Sequence, residues 1–307
     1  MLLDRVKVIL NNYFIYFRSV FKVIENSRNP FLIFAPPGHF YSPIPNLLDI
    51  KKVRDSIFDR SAKNCLGINL HEQEQINLVK TLKKYYDQMP FTETKQDGYR
   101  YYFKNPYFGH GSGIILYSIL RHFNPKRVIE VGSGFSSALM LDVDEHFLND
   151  RIQFTFIEPY PERLLNLLSN SDKESQQIID KPVQTVSKSI FEDLEGNDLL
   201  FIDSSHVVKI GSDVVHLITE ILPLLKKGVI IHIHDIYWPF EYPENWILSG
   251  HAWNEAYLVK AFLQFNSSFQ ILLFNSFLSL HHRDLMEQNF PQFITDGGSS
   301  LWMVKAT

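Results

Sequence analysis

Two short segments carry groups able to move a proton or hold a cation: "FIDSSH", with Asp203 and His206, and "HIHD", with His234 and Asp235. Each lies at the end of a short apolar run, where a buried strand would stop. On neighbouring strands of one sheet, Asp203 and Asp235 would stand within bridging distance of each other. Two carboxylates completed by waters and substrate oxygens suit a divalent cation such as Mg²⁺. Without a metal, His206 is the preferred general base, because an imidazole titrates near neutrality. Asp235 would then orient His206 or bind the substrate. Strand alternation puts His232 and His234 on one side, and His232 reads as a structural histidine.

A second set of residues is suited to a nucleoside. In "RVIEVGSGFSS" (residues 127–137) a strand-like run ends in Glu130 and a turn, Gly132-Ser133-Gly134. A dinucleotide fingerprint needs a third glycine, and Ser137 stands in that place. Glu130, two residues before Gly132, would repel a pyrophosphate but can reach the ammonium group of an amino-acid moiety. Glu158 ends the next run, "FTFIEP", from which a carboxylate can accept both hydroxyls of a ribose. NAD and S-adenosylmethionine share that contact. Ser137 and Glu130 together weigh against an NAD-dependent oxidoreductase.

The elements that must position these groups alternate regularly. Strand-like "RVIEVG", "IQFTFIEP", "DLLFIDSS" and "VIIHIHDI" are separated by helical "SSALMLDVDEHF", "PERLLNLLSN" and "DVVHLITEILPLLKKG", and "KPVQTVSKSI" reads as a further short strand. This pattern predicts a parallel sheet covered on both faces, with right-handed crossovers. Ligands of such sheets bind beyond the carboxyl ends of the strands, and every polar cluster above falls there. Toward the end, "FQILLFNSFLSLHH" and "SSLWMVKA" read as two strands forming a hairpin-like return at one edge. Residues 1–95 read as a helical, Pro- and aromatic-rich region and residues 96–307 as the ligand-binding domain. "NPFLIFAPPGHFYSPIPN" (29–46) carries five prolines and cannot be regular helix. "NLHEQEQINLVKTLKKYYDQMPF" has helical spacing.

Composition narrows the function further. A net charge of −4 over 307 residues lacks the clustered Lys and Arg that nucleic acid requires. The single cysteine, Cys65, excludes an internal disulfide and fits a cytoplasmic setting. Residues 1–25 spell an amphipathic helix, with Leu3, Val6, Leu10, Phe14, Phe17 and Phe21 on one face. Such a helix suits packing on its own domain or in a homodimer, and peripheral membrane contact is the other use of that pattern. Aromatic residues reach 14% and gather in two segments beside the strand ends. The first, "DGYRYYFKNPYFGHGSG", offers Tyr107; the second, "YWPFEYPENWILSGHAWNEAY", offers Tyr237, Trp238 and Trp253. With His234 they are candidates to line a pocket for a small molecule or glycan.

Five motifs in order, "VIEVGSGFSS", "FIEPYPERL", "FIDSSHVVKIGSDV", "LPLLKKGVIIHIHDIYWPFEYP" and the terminal strand pair, resemble class I S-adenosylmethionine-dependent methyltransferases, in particular a bacterial branch carrying "FIDSSH" and "HIHDI". The resemblance spans roughly residues 95–307. It implies a Rossmann-like seven-stranded sheet whose last strand inserts antiparallel to the others. It implies that Glu130, Gly132, Ser133 and Gly134 hold the methionine part of S-adenosylmethionine and Glu158 its ribose. Ser189 and Phe191 would lie by the adenine, and Asp203 near the donor's ammonium group. Catechol-type members hold Mg²⁺ with an acid after each of the two strands and one further amide or acid ligand. Here Ile236 follows Asp235 directly, so the further ligand is missing locally. The resemblance leaves the acceptor open; a hydroxyl is expected, and a non-catalytic scaffold of the same fold is the alternative.

Overall fold

The computed structural model describes residues 34–307. The amphipathic 1–25 segment lies outside the described residues. The chain divides into two compact units, residues Met1–Ile57 and Phe58–Thr307. In the first, residues 34–46 form turns, followed by the short helices α1 (Leu47–Lys52) and α2 (Arg54–Ile57). The Asn46 side chain caps α1 by accepting from Leu48 N, a usual use of Asn at a helix start. Among the described residues no helix is long and apolar enough to cross a membrane.

The second unit is built on seven strands: β1 (Arg127–Val131), β2 (Gln153–Ile157), β3 (Gln177–Ile179), β4 (Leu199–Ile202), β5 (Ile230–Ile233), β6 (Phe269–Phe274) and β7 (Leu301–Lys305). Their order is β3-β2-β1-β4-β5-β7-β6. The first five are parallel, and β7 runs antiparallel to both β5 and β6. This is the expected Rossmann-like α/β sheet. β4 and β5 are buried at every position, as central parallel strands covered on both faces must be.

The helices are α3 (Glu72–Tyr86), α4 (His110–Phe123), α5 (Phe135–Val143), α6 (Glu162–Leu167), α7 (Asn170–Ser175), α8 (Ser189–Glu192), α9 (Asp213–His216), α10 (Glu244–Leu248), α11 (Glu255–Leu263), α12 (Asn275–His281) and α13 (Arg283–Asn289). α4 is buried from His110 to Leu120. It stops where Asn124 takes a left-handed conformation and returns its N–H to Leu120 O, ahead of Pro125. α3 belongs to this unit and not to the N-terminal one. Its Val79 and Leu82 are wholly buried, and its Gln75 accepts from Phe274 N of β6 while donating to Leu70 O.

Two local expectations are corrected. The "FQILLFNSFLSLHH" strand ends at Phe274, and the remainder is α12. β3 lies earlier than expected, at Gln177–Ile179, while "KPVQTVSKSI" is loop, one 3₁₀ turn and the start of α8. The last strand inserts antiparallel to its neighbours as the resemblance implies, with β7 between β5 and the edge strand β6.

Candidate active site

Strand ends β1, β2, β4 and β5 bring the site together. The turn after β1 can be made only by glycine at its first position. Gly132 has φ +83°, and a Cβ there would overlap the carbonyl oxygen of Asp203. The glycine turn therefore lies directly on the end of β4. Ser133 N donates to Glu158 Oε2 (3.1 Å), and Tyr160 N to Glu158 Oε1 (2.9 Å), so Glu158 stands at the turn as expected. Two hydroxyl oxygens here, Ser133 Oγ and Ser204 Oγ, are buried without a hydrogen-bond partner.

Glu130 departs from expectation. It is fully buried, and its carboxyl accepts from Ser136 Oγ (2.5 Å) and from Ser137 Oγ at the start of α5. Ser137 Oγ in turn accepts from Gly134 N (3.0 Å). Burial pushes the Glu130 carboxyl up to about 8, with the serine hydroxyls opposing. Glu130 thus braces the glycine turn from beneath and presents no oxygen to a ligand. Above the turn, the Arg163 guanidinium lies 3.9 Å over the Tyr107 ring, which is stacked on Phe135. Tyr107 is mostly exposed.

At the ends of β4 and β5 the center is His206. Its Nε2 is 3.4 Å from Asp203 Oδ1 and 3.8 Å from Asp235 Oδ2, and its Nδ1 is 2.8 Å from Glu255 Oε2. Burial pulls the imidazole pKa down, but the bonds to Asp203 and Glu255 and their charges outweigh it, so His206 is raised well above its ordinary value. Asp203 moves the other way. Burial would raise it, but the His234 and His206 charges hold it below the usual carboxylate range. Asp235 accepts from Ser299 Oγ (2.7 Å), and Ile236 N donates to Ser299 O (2.9 Å), so the loop before β7 pins the end of β5.

The two acids of the expected metal pair, Asp203 and Asp235, stand 3.4 and 3.8 Å from His206 Nε2. Among the described residues no group of three or more His, Cys, Asp or Glu is arranged to hold a metal ion, so an ion at these two acids would need waters or substrate oxygens as its remaining ligands.

The aromatic candidates divide. Trp253 packs 4.5 Å from the His206 ring and edge-on to Trp246 (5.3 Å), which meets Tyr237 in the same way (5.4 Å). These three rings form one wall beside His206. Trp238 is wholly buried against Phe274 and Phe277, with Nε1 donating to Ala62 O; it is core and lines nothing. Phe191 is likewise wholly buried, so it offers no ring to an adenine, while Ser189 is exposed and bonded to Ser187. His234 lies behind Asp235 (Nε2 to Oδ1 3.6 Å) with its ring against Phe108, and its side chain is as buried as that of His206. His232 is wholly buried on Phe201, with burial holding it well below its ordinary value; it is structural, as expected. Glu255 and Ser299 were not singled out in the sequence. Glu255 opens an ordinary amphipathic helix, and only the "DGGSS" turn signal marked the loop carrying Ser299.

Fold and site together define a doubly wound α/β domain with a glycine turn and an acid at the end of β2, beside a histidine–carboxylate cluster. Residues 129–236 match the family described as a methyltransferase domain. An uncharacterized protein of Archaeoglobus fulgidus is 38% identical over 167 residues, covering 53% of this chain and 74% of that protein. The chain belongs to the same family as that archaeal protein. Solved structures similar to the chain include an SAH-bound methyltransferase of Podospora anserina (15% identity, 85% of this chain and 97% of that one, TM-score 0.41). Another is the O-methyltransferase TomG of Streptomyces achromogenes in complex with SAM (12% identity, 84% and 96%, TM-score 0.40).

Proposed function

We propose that the protein is an S-adenosylmethionine-dependent methyltransferase that methylates a hydroxyl of a small-molecule or saccharide acceptor. The observation that carries the reading is the juxtaposition of the glycine turn with the acid–histidine cluster: Gly132 lies against the Asp203 carbonyl, and His206 Nε2 lies between Asp203 and Asp235. When bound, S-adenosylmethionine supplies an electrophilic methyl group carried on sulfur. Glu158 has lone pairs left for the ribose hydroxyls, and the unpartnered Ser133 Oγ sits at the turn. Asp203, with its side chain 31% exposed, replaces Glu130 as the acid able to meet the ammonium group.

The remaining task of the chain is to aim an acceptor oxygen and take its proton. The Tyr237, Trp246 and Trp253 wall supplies flat faces on which a sugar or aromatic ring can stack. His206 Nε2 is the group that receives the hydroxyl proton, and Asp235, held by Ser299, orients the acceptor. No step is assigned to a metal.

Two measurements test the proposal. Saturation with S-adenosylhomocysteine at about a hundred times its Kd should stabilise the fold by about 2.7 kcal/mol, or roughly 5–10 °C in Tm for a unit of this size. Methyl-labelled S-adenosylmethionine, offered with phenolic and saccharide acceptors, should give labelled product to the same extent with and without EDTA. A shift with NAD and none with S-adenosylhomocysteine would overturn the reading. Binding of S-adenosylhomocysteine without transfer to any acceptor would favor the scaffold alternative. Loss of turnover in EDTA would restore the metal.

A further inference from the structure

Glu255 has no part in the proposal above, yet it is among the most deeply buried charged groups of the protein, with 1% of its surface exposed. It opens α11, 49 residues after His206. Its Oε2 lies 2.8 Å from His206 Nδ1, while its Oε1 is buried without a partner. The main chain repeats the connection. His206 O accepts from both Asn254 N (3.1 Å) and Glu255 N (3.2 Å), and Val208 N donates to Asn254 Oδ1 (2.5 Å). Trp253 completes it by packing its ring on the imidazole.

His206 itself has φ +60°, a left-handed conformation that residues other than glycine adopt only where their surroundings enforce it. Here the enforcing contacts come from residues 253–255. Packing stability does not account for a buried acid–imidazole pair, because apolar residues of similar volume commonly stabilise a fold as well or better. The pair favours Nδ1 as the nitrogen that keeps its proton, because Glu255 lies 2.8 Å from it whereas Asp203, the acid nearest Nε2, lies at 3.4 Å. A carboxylate that accepts the Nδ1 hydrogen leaves Nε2 as the nitrogen with a free lone pair when the ring is neutral.

We infer that Glu255 is a positioning residue for the reaction: it holds His206 by Nδ1 so that Nε2 points between Asp203 and Asp235, where the acceptor hydroxyl must arrive. The inference rests on the reading of His206 as proton acceptor. It also ties the base to the acceptor wall, since Trp253 belongs to both.

The test separates this inference from the activity on which it rests. In ¹⁵N-labelled full-length protein saturated with S-adenosylhomocysteine, the His206 imidazole signals, assigned by their loss in His206→Asn, should show the ring proton kept on Nδ1 in the neutral form. Glu255→Gln should shift those signals toward a mixture of tautomers. It should also lower kcat about a hundredfold while leaving the S-adenosylhomocysteine Kd within threefold, and Glu255→Asp should recover part of kcat. Unchanged imidazole signals in Glu255→Gln would overturn the inference, whether or not an acceptor has been found. Should Glu255→Gln fail to fold, the wild-type spectrum decides: a neutral ring protonated on Nε2 overturns it. If the imidazole signals depend on Glu255 but the wild-type enzyme methylates nothing, the activity falls and the positioning bond stands.

Discussion

His206 is surrounded by Asp203, Asp235 and Glu255, with His234 behind Asp235, and this sets its pH behaviour. Below its raised pKa the ring is charged and Nε2 has no lone pair, so kcat/KM should rise with pH along a limb above the ordinary imidazole value of about 6.5. A limb below 6.5 would mean that another group takes the proton. His206→Asn should lose on the order of 10²–10⁴ in kcat. Stability runs the opposite way. A raised histidine contributes fully below about 6.5 and loses that contribution as pH rises through its folded value. Urea unfolding at two pH values, compared with His206→Asn, checks the sign. Glu130 offers a second test. Since burial holds its carboxyl up to about 8, Glu130→Gln replaces a neutral group at pH 7 with another. It should cost about 1 kcal/mol or less and leave donor affinity within threefold, whereas Glu130→Ala should cost about 2–4 kcal/mol through a cavity and two unpaired hydroxyls. A hundredfold loss of affinity in Glu130→Gln would return Glu130 to the ligand. Nothing in "VIEVGSGFSS" distinguishes an acid facing the cleft from one turned beneath its own helix. The difference lies in two serines six and seven residues on, at the start of α5, whose reach is a matter of three dimensions.

At the scale of elements, the turn and the helix braces are the sensitive points. Gly132→Ala combines a positive φ with an overlap on the Asp203 carbonyl. It should abolish S-adenosylhomocysteine binding, as read by thermal shift. Gly98→Ala, at a similar φ but with nothing within 4 Å, should cost only about 1 kcal/mol. The strand–helix alternation was readable because buried parallel strands spell short apolar runs. The same rule misled at residues 275–281, where "NSFLSLH" is as apolar as a strand but forms a helix. Aromatic residues were readable as a concentration but not by direction: Trp253 faces His206, whereas Trp238 and Phe191 face the core. Sequence periodicity over so few residues does not distinguish these cases. Arg100 shows a brace of another kind. It pairs with Asp142, Asp172 and Glu145 at 2.8 Å each, and Asp142 is wholly buried. Arg100→Met removes the cation beside buried Asp142 but leaves its bonds from Arg100 N and Tyr101 N, and should cost about 1–3 kcal/mol in urea unfolding.

At the scale of the whole molecule the chain divides into two compact units after Ile57. Residues 58–307 should therefore unfold in one cooperative transition, while residues 96–307, stripped of Gln75, Val79 and Leu82, should not. Circular dichroism melts of the two fragments decide. The N-terminal division was hard to read because α3 is separated from the sheet by Pro- and Gly-containing loops, yet its buried face is completed by β6, some 190 residues later. The insertion of β7 has a consequence for how the protein comes into being. β5 gains its outer neighbor, and Asp235 its bond from Ser299, only from residues 299–305. A chain growing from the ribosome can pair β1 to β5 in turn, but its β5 edge stays open until Lys305 has emerged. A chain truncated before β7 would lack both the strand that covers β5 and the Ser299 bond to Asp235, and its sheet would keep an unpaired edge.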